Sequence, residues 1–176
     1  MAIAPDWKRA ADAGLTFRRI ADADLPLLAR IYTSTRTEEL APVPWSDAQK
    51  AAFLDMQFRA QHAHYQKYYA DADWLIVMHD GEDIGRLYIE RLPAEHRIID
   101  IALLPEHRGC GLGEALLRDL LDEAAAAGRS VEIHVEKQNP AMRLYRRLGF
   151  LTEQDKGVYD LMRWTGPPSA AYANTA

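Results

Sequence analysis

LLPEHRGCGLGEALL, Leu103 to Leu117, is the stretch whose reading decides the fold. An apolar run from Ile98 to Leu104 ends at Pro105. Arg108 and three alternating glycines follow (Gly109, Gly111, Gly113), and then a strongly apolar helical pattern begins. Glycines at that spacing leave the backbone free to turn its N–H groups inward. A helix starting at the last glycine adds its own unpaired N–H groups and the positive end of its dipole. Such a loop is a concave anion site suited to a phosphate or pyrophosphate. A dinucleotide fingerprint is excluded, because Glu114 stands where its next glycine belongs. A Walker loop is excluded too, for want of a Gly-Lys-Ser/Thr run. A glycine-rich strand-to-helix turn without a ligand is the competing reading of the bare pattern.

What surrounds the loop separates the two. The arrangement Arg-x-x-Gly-x-Gly (Arg108, Gly111, Gly113) resembles the acyl-CoA signature of the GNAT superfamily of N-acyltransferases. About thirty residues later NPAMRLYRRLGF (Asn139 to Phe150) resembles that superfamily's second signature, in the same order and spacing. The resemblance covers most of residues 15–164 and says little about the acceptor. It implies acetyl-CoA as acyl donor. The cofactor contacts it implies run from Leu103 and Leu104 through Arg108, Gly109, Cys110, Gly111, Leu112 and Gly113, with Asn139 and Tyr145. Glu114 departs from the pattern, since many relatives carry a small hydroxyl residue there. A carboxylate beside a pyrophosphate would repel it, so this side chain is expected to face solvent.

Composition fits one compact domain. A chain of 176 residues is long enough to bury a full core and too short to need two domains. The net charge of −5 and the lack of a basic cluster argue against a nucleic-acid partner. The same charge mildly favours a cationic acceptor. The single cysteine, Cys110, allows no internal disulfide and fits a reducing compartment. No apolar leader or membrane-length apolar stretch is present, so a cytoplasmic location without membrane attachment is expected. The six histidines show no metal spacing, His62 and His64 being two apart on a helix, so no metal is expected.

The order of elements follows from periodicity and punctuation. Residues 1–14 read as an N-terminal extension, 15–164 as the domain and 165–176 as a mobile tail. Residues 15–20 form a first strand. A helix capped by Asp22 or Asp24 runs to about Glu39, with Pro26 in its first turn. Ser46 and Gln49 make a capping box for a second helix towards Tyr69. Strands 74–79 and 83–91 form a hairpin around Gly81, and strand 97–104 feeds the glycine loop. The next helix spans Gly113 to Ala127. In the strand after it Val131, Ile133 and Val135 alternate with a wetter face of Glu132, His134 and Glu136. Asn139 and Pro140 start the last helix, Gly149 ends it, and two strands follow around Asp155-Lys156-Gly157. The fold class is α/β: a mixed twisted sheet of six to seven strands with helices on both faces. The resemblance implies the same, with strands 97–104 and 131–136 splaying apart around the acyl-pantetheine arm. A monomer or homodimer is expected.

The implied reaction has three requirements: a deprotonated amine, a stabilised thioester oxygen and a stabilised leaving thiolate. Tyr145 matches the superfamily's leaving-group tyrosine; it also falls on an apolar stripe with Ala141, Leu144 and Leu148, as a core residue would. For the base, Asp100 is a lone carboxylate in an apolar run, where burial raises a pKa or demands a partner such as Arg86 or Arg97. Glu90, which shares a strand face with Arg86 and Tyr88, is the second candidate, and a water chain the third. Gln57, Gln61 and Tyr65 recur every four residues and share a helix face; they line the acceptor pocket or are simply solvated. Function divides accordingly. One reading is an N-acetyltransferase acting on a primary amine of a small molecule or peptide. The other is an acyl-CoA-binding sensor or pseudoenzyme.

Overall fold

The computed structural model describes residues 6–167, so the tail expected from residue 165 lies almost wholly outside the described residues. The elements run α1 (Lys8–Asp12), β1 (Leu15–Arg19), α2 (Leu25–Leu40), α3 (Asp47–Tyr68), β2 (Asp73–His79), β3 (Glu82–Arg91), β4 (Glu95–Leu103), α4 (Leu112–Ala126), β5 (Ser130–Glu136), α5 (Met142–Arg147), β6 (Leu151–Lys156) and β7 (Tyr159–Trp164). Seven strands form one sheet in the order β1-β2-β3-β4-β5-β7-β6. Every neighbour pairing is antiparallel except β4 with β5. The expected mixed sheet with helices on both faces is therefore present.

The alternation of strand side chains sorts the core into two layers. On one face Leu75, Leu87, Ile89, Ile98, Val131 and Ile133 meet Leu116, Leu117 and Leu120 of α4 and Tyr145 of α5. On the other, Trp74, Ile76 and Tyr88 meet Leu28 and Tyr32 of α2 and Leu54 and Phe58 of α3. Each fully buried Leu or Ile contributes on the order of 1.5–3 kcal/mol.

Local chemistry accounts for most boundaries. Ser46 Oγ accepts from the Gln49 N–H and Gln49 Oε1 accepts from the Ser46 N–H, the reciprocal box that starts α3. Asp80 and Gly81 both take positive φ, as the tight β2–β3 hairpin requires. Three expectations need correction. Asp24 does not cap α2 through its side chain; its carboxylate accepts from the Ala21 N–H and pairs with Arg18. Helix α5 begins at Met142 and not at Asn139, whose Oδ1 is spent on the Ala141 N–H of the preceding turn. Glu132 is buried, because Arg97 and Arg163 both reach it.

Residues 7–12 pack into the first layer. Trp7 Nε1 donates to Glu123 at 2.8 Å, and Arg91 Nε and His96 Nε2 lie 2.6 and 3.1 Å from the same carboxylate. Burial would raise the Glu123 pKa, but the hydrogen bonds from His96, Arg91 and Trp7 more than offset it and hold the carboxyl well below the usual range. An unfolded glutamate titrates near 4.3. The stabilisation is therefore complete above about pH 4.3 and is lost as pH falls towards the folded value. Glu123→Gln is expected to cost about 2–4 kcal/mol at pH 7. Urea melts should show that cost shrinking below pH 4, because the wild type then loses the same charge.

Candidate active site

The parallel pair β4–β5 is registered only from Glu95↔Ser130 to Ile98↔Ile133. Beyond it β4 continues to Leu103 and β5 to Glu136 unpaired, so a gap opens between them towards their carboxyl ends. That end is where ligands bind in open α/β sheets. A bulge in β4, between the Tyr88↔Asp100 and Ile89↔Ile98 pairs, adds to the divergence.

The glycine loop closes the end of this gap. Gly109 and Gly111 have φ of 74° and 87°, and a Cβ at either would meet nothing within 4 Å, so both open onto free space. Gly111 is the N-cap of α4 and offers no side-chain cap. The N–H groups from Gly109 to Glu114 donate to no backbone carbonyl among the described residues. A left-handed loop with free N–H groups at a helix start fits a diphosphate. Leu103, Leu104 and Leu112 are buried beneath the loop, so only their backbones can face a ligand.

Two loop side chains do something other than reach into that space. Arg108 donates to the Leu103 carbonyl at 2.7 Å and to Ser34 Oγ of α2 at 2.9 Å, bracing the end of β4 against α2. Glu114 does not face solvent freely; it pairs with Arg118 and with Arg147 of α5. Cys110 is exposed and its Sγ lies against the His107 carbonyl. Gly85 of β3 is a positioning residue outside the signature motifs. A Cβ there would collide with the Ala102 carbonyl oxygen, so only glycine lets β3 support the end of β4 this closely. An isolated glycine within a strand pattern was the available signal.

On the α2–α3 face the expected site residues gather around one carboxylate. Asp100 Oδ2 accepts from Arg86 Nη2 at 2.6 Å, and the same nitrogen donates to Gln61 Oε1 at 3.1 Å. Gln57 Oε1 accepts from Tyr32, and Tyr65 packs edge-on to Tyr88. The stripe Gln57, Gln61, Tyr65 thus turns inward and is half-buried. Burial and, less strongly, the Asp100 charge raise the phenols of Tyr65, Tyr88 and Tyr145, against an opposing Arg86 charge at Tyr65 and Tyr88, and Tyr88 is pushed up to about 12. Tyr88 Oη and Arg86 Nε are buried without a hydrogen-bond partner, two orphaned polar atoms in this region.

Glu90 lies elsewhere. It accepts from Arg97 at 2.8 Å, within an ion-pair ladder that also takes in Glu132, Glu95 and Arg163 on the registered half of β4–β5. Both carboxylates expected as bases are therefore ion-paired. His134 stands one residue past the last β4–β5 pair, and alternation turns it away from the α4 layer towards the face of Asp100. Partial burial, then the Lys156 ammonium 3.3 Å from its Nε2, hold its imidazole below the usual value. Its place in an alternating strand gave no sign of this. Tyr145 is buried on α5 with its ring edge-on to Phe150 at 5.6 Å. Asn139 is exposed at the turn before that helix.

The comparisons with known proteins agree with this geometry. A family model described as "Acetyltransferase (GNAT) family" matches residues 29–150. A ribosomal protein bS18-alanine N-acetyltransferase from Haemophilus influenzae is 30% identical over 77 residues, 43% of this chain and 53% of its own length. A proposed enzyme of the same name from Bacillus subtilis is 32% identical over 109 residues, covering 60% of this chain and 64% of its own length. The matches thus span less than two thirds of either relative. In fold, the PaiA N-acetyltransferase from Thermoplasma acidophilum, solved in complex with coenzyme A, superposes with a TM-score of 0.64 at 17% identity, covering 86% of this chain and 98% of that one.

Proposed function

The chain belongs to the GNAT acetyltransferase family, and from that membership we propose that it transfers an acetyl group from acetyl-CoA to the α-amino group of a protein or peptide N-terminus. Acetyl-CoA supplies an activated thioester carbonyl when bound. The glycine loop from Gly109 to Gly113 would hold its diphosphate, with Asn139 and Tyr145 beside the arm. Among the described residues no helix is long and apolar enough to cross a membrane.

One observation carries the choice of acceptor. Among the described residues the two carboxylates expected or found at the open end of the gap are each engaged by an arginine, Asp100 by Arg86 and Glu136 by Arg36, and Glu90, away from it, is held by Arg97. A site without a free carboxylate base suits an amine that deprotonates easily. An α-amino group of pKa near 7.7–8.0 is about 10–15% neutral at pH 7, against about 0.04% for an alkylammonium of pKa near 10.4. The relatives' printed names, which specify an alanine N-terminus, point the same way. A peptide with a free N-terminal alanine and an internal lysine should gain one acetyl group, located by fragmentation at the α-nitrogen. Acetylation at the lysine, or equal use of an Nα-blocked peptide, would move the assignment to alkylamines.

Asp100, although held by Arg86, and His134, whose Nε2 lies 3.3 Å from Lys156 Nζ, are on the α2–α3 face of the gap, and in this reading a water chain beside them carries the amine's proton away. Asp100→Asn and His134→Gln should each lower kcat by about tenfold or more. Asp100→Asn should also lower the melting temperature, since it strips the buried Arg86 of its counter-charge. Glu90→Gln should change kcat by less than about twofold, the modest weight of one member of a partly exposed charge ladder. Unaltered pH–rate curves in both Asp100→Asn and His134→Gln would hand the proton to solvent.

A further inference from the structure

Three exposed arginines crowd the short helix α5: Arg143, Arg146 and Arg147. The chain carries a net charge of −5, and yet this helix holds no acidic residue. Arg143 and Arg147 are four residues apart and share a helix face. Arg147 reaches Glu114 in the first turn of α4, directly beside the glycine loop, and Arg118 takes the same carboxylate from the other side. Among the described residues Arg143 and Arg146 form no ion pair. Glu114 is thus shared by two guanidiniums, and two more on α5 stay exposed without a carboxylate. On the opposite flank of the loop Arg30 pairs with Glu106, and the guanidinium of Arg108 is taken up by the Leu103 carbonyl and Ser34 Oγ.

We infer that the Arg143–Arg147 face of α5, with Arg118, binds the 3′-phosphate of the coenzyme's adenosine and so selects CoA over its 3′-dephospho form. The inference rests on reading Gly109–Gly113 as the diphosphate loop. If the loop holds the diphosphate and the β4–β5 gap the pantetheine arm, the nucleoside end would lie on the outer side of the loop. Of the two outward flanks, the α5 side is the one that holds guanidiniums, Arg143 and Arg146, with no hydrogen-bond or ion-pair partner among the described residues. A phosphate monoester carries close to two negative charges at pH 7 and three acceptor oxygens, which suit guanidinium forks. Glu114, a poor neighbour for a diphosphate on its own, is neutralised by the same arginines.

Calorimetric titration of the full chain with CoA and with 3′-dephospho-CoA tests this. The wild type should prefer CoA by roughly tenfold, the scale of charge-assisted contacts at a partly exposed site. Added salt should erode that preference. Arg143→Ala should cut the ratio to about twofold or less while leaving the dephospho-CoA affinity within about twofold. Arg147→Ala alone also frees Glu114, so Glu114→Gln/Arg147→Ala is the clean form of the second variant, with the same expected result. Equal wild-type affinity for the two ligands, or variants that weaken both alike, would overturn the 3′-phosphate site and leave the diphosphate loop standing. Failure of both ligands to bind would overturn the two together.

Discussion

Tyr145→Phe is expected to lower turnover by about 10²-fold or more, the usual scale for one general acid or equivalent hydrogen-bond donor, with little change in melting temperature or CoA affinity. The ring is buried against Phe150, and phenylalanine keeps that packing. No side-chain hydrogen bond perturbs the hydroxyl, so its removal leaves no partner stranded in the folded protein. Burial, then the Asp100 charge, push the phenol above its ordinary value, so it is protonated throughout the physiological range. An unperturbed phenol near 10 is already a weaker acid than a thiol near 8.5, by roughly 2 kcal/mol. The upward shift widens that difference, so the role proposed for Tyr145 is that of a hydrogen-bond donor to the departing sulfur more than of a complete proton donor. Stopped-flow thiol release on Tyr145→Phe at saturating acetyl-CoA measures the effect. Wild-type turnover in that variant would leave Tyr145 as a packing residue only.

Gly111→Asp should reduce CoA affinity by about 10²-fold or more, since it sets a carboxylate in the space a diphosphate needs and subtracts a charge-assisted contact. The fold should survive it. A Cβ at Gly111 meets nothing within 4 Å, and aspartate tolerates a positive φ better than most residues. Strain at that φ should cost on the order of 1–2 kcal/mol. Gly111→Ala separates the terms, because it carries the strain without the charge. Its CoA affinity should fall much less than that of Gly111→Asp, by calorimetry, and similar losses in both would locate the effect in backbone geometry.

Sequence alone made the succession of elements, the glycine loop and the α3 capping box legible, because each depends on residues within a few positions of one another. Alternation in β5 and the 3.6-residue stripe in α4 were likewise read directly. The errors concern groups whose fate is set across the sheet. Glu132 lies in a strand that alternates correctly, yet Arg97 and Arg163 arrive from two other strands and bury it. Glu114 was expected in solvent, because Arg147 lies 33 positions further along the chain. Asp100 was left open between a base and a partner of Arg86, and the 2.6 Å pair closes that choice of partner. Arg108, the motif's arginine, braces Leu103 and Ser34, a contact with α2 that no local pattern encodes.

The most direct measurement is the yield of free CoA thiol against acetylated peptide when the full chain is mixed with acetyl-CoA and a peptide bearing a free N-terminal alanine. One thiol released per acetyl group gained by the α-nitrogen, and no release above hydrolysis with the Nα-blocked peptide, is the expected result. Tight CoA binding with no peptide-dependent thiol release would contradict an acetyltransferase and make the chain an acyl-CoA-binding sensor.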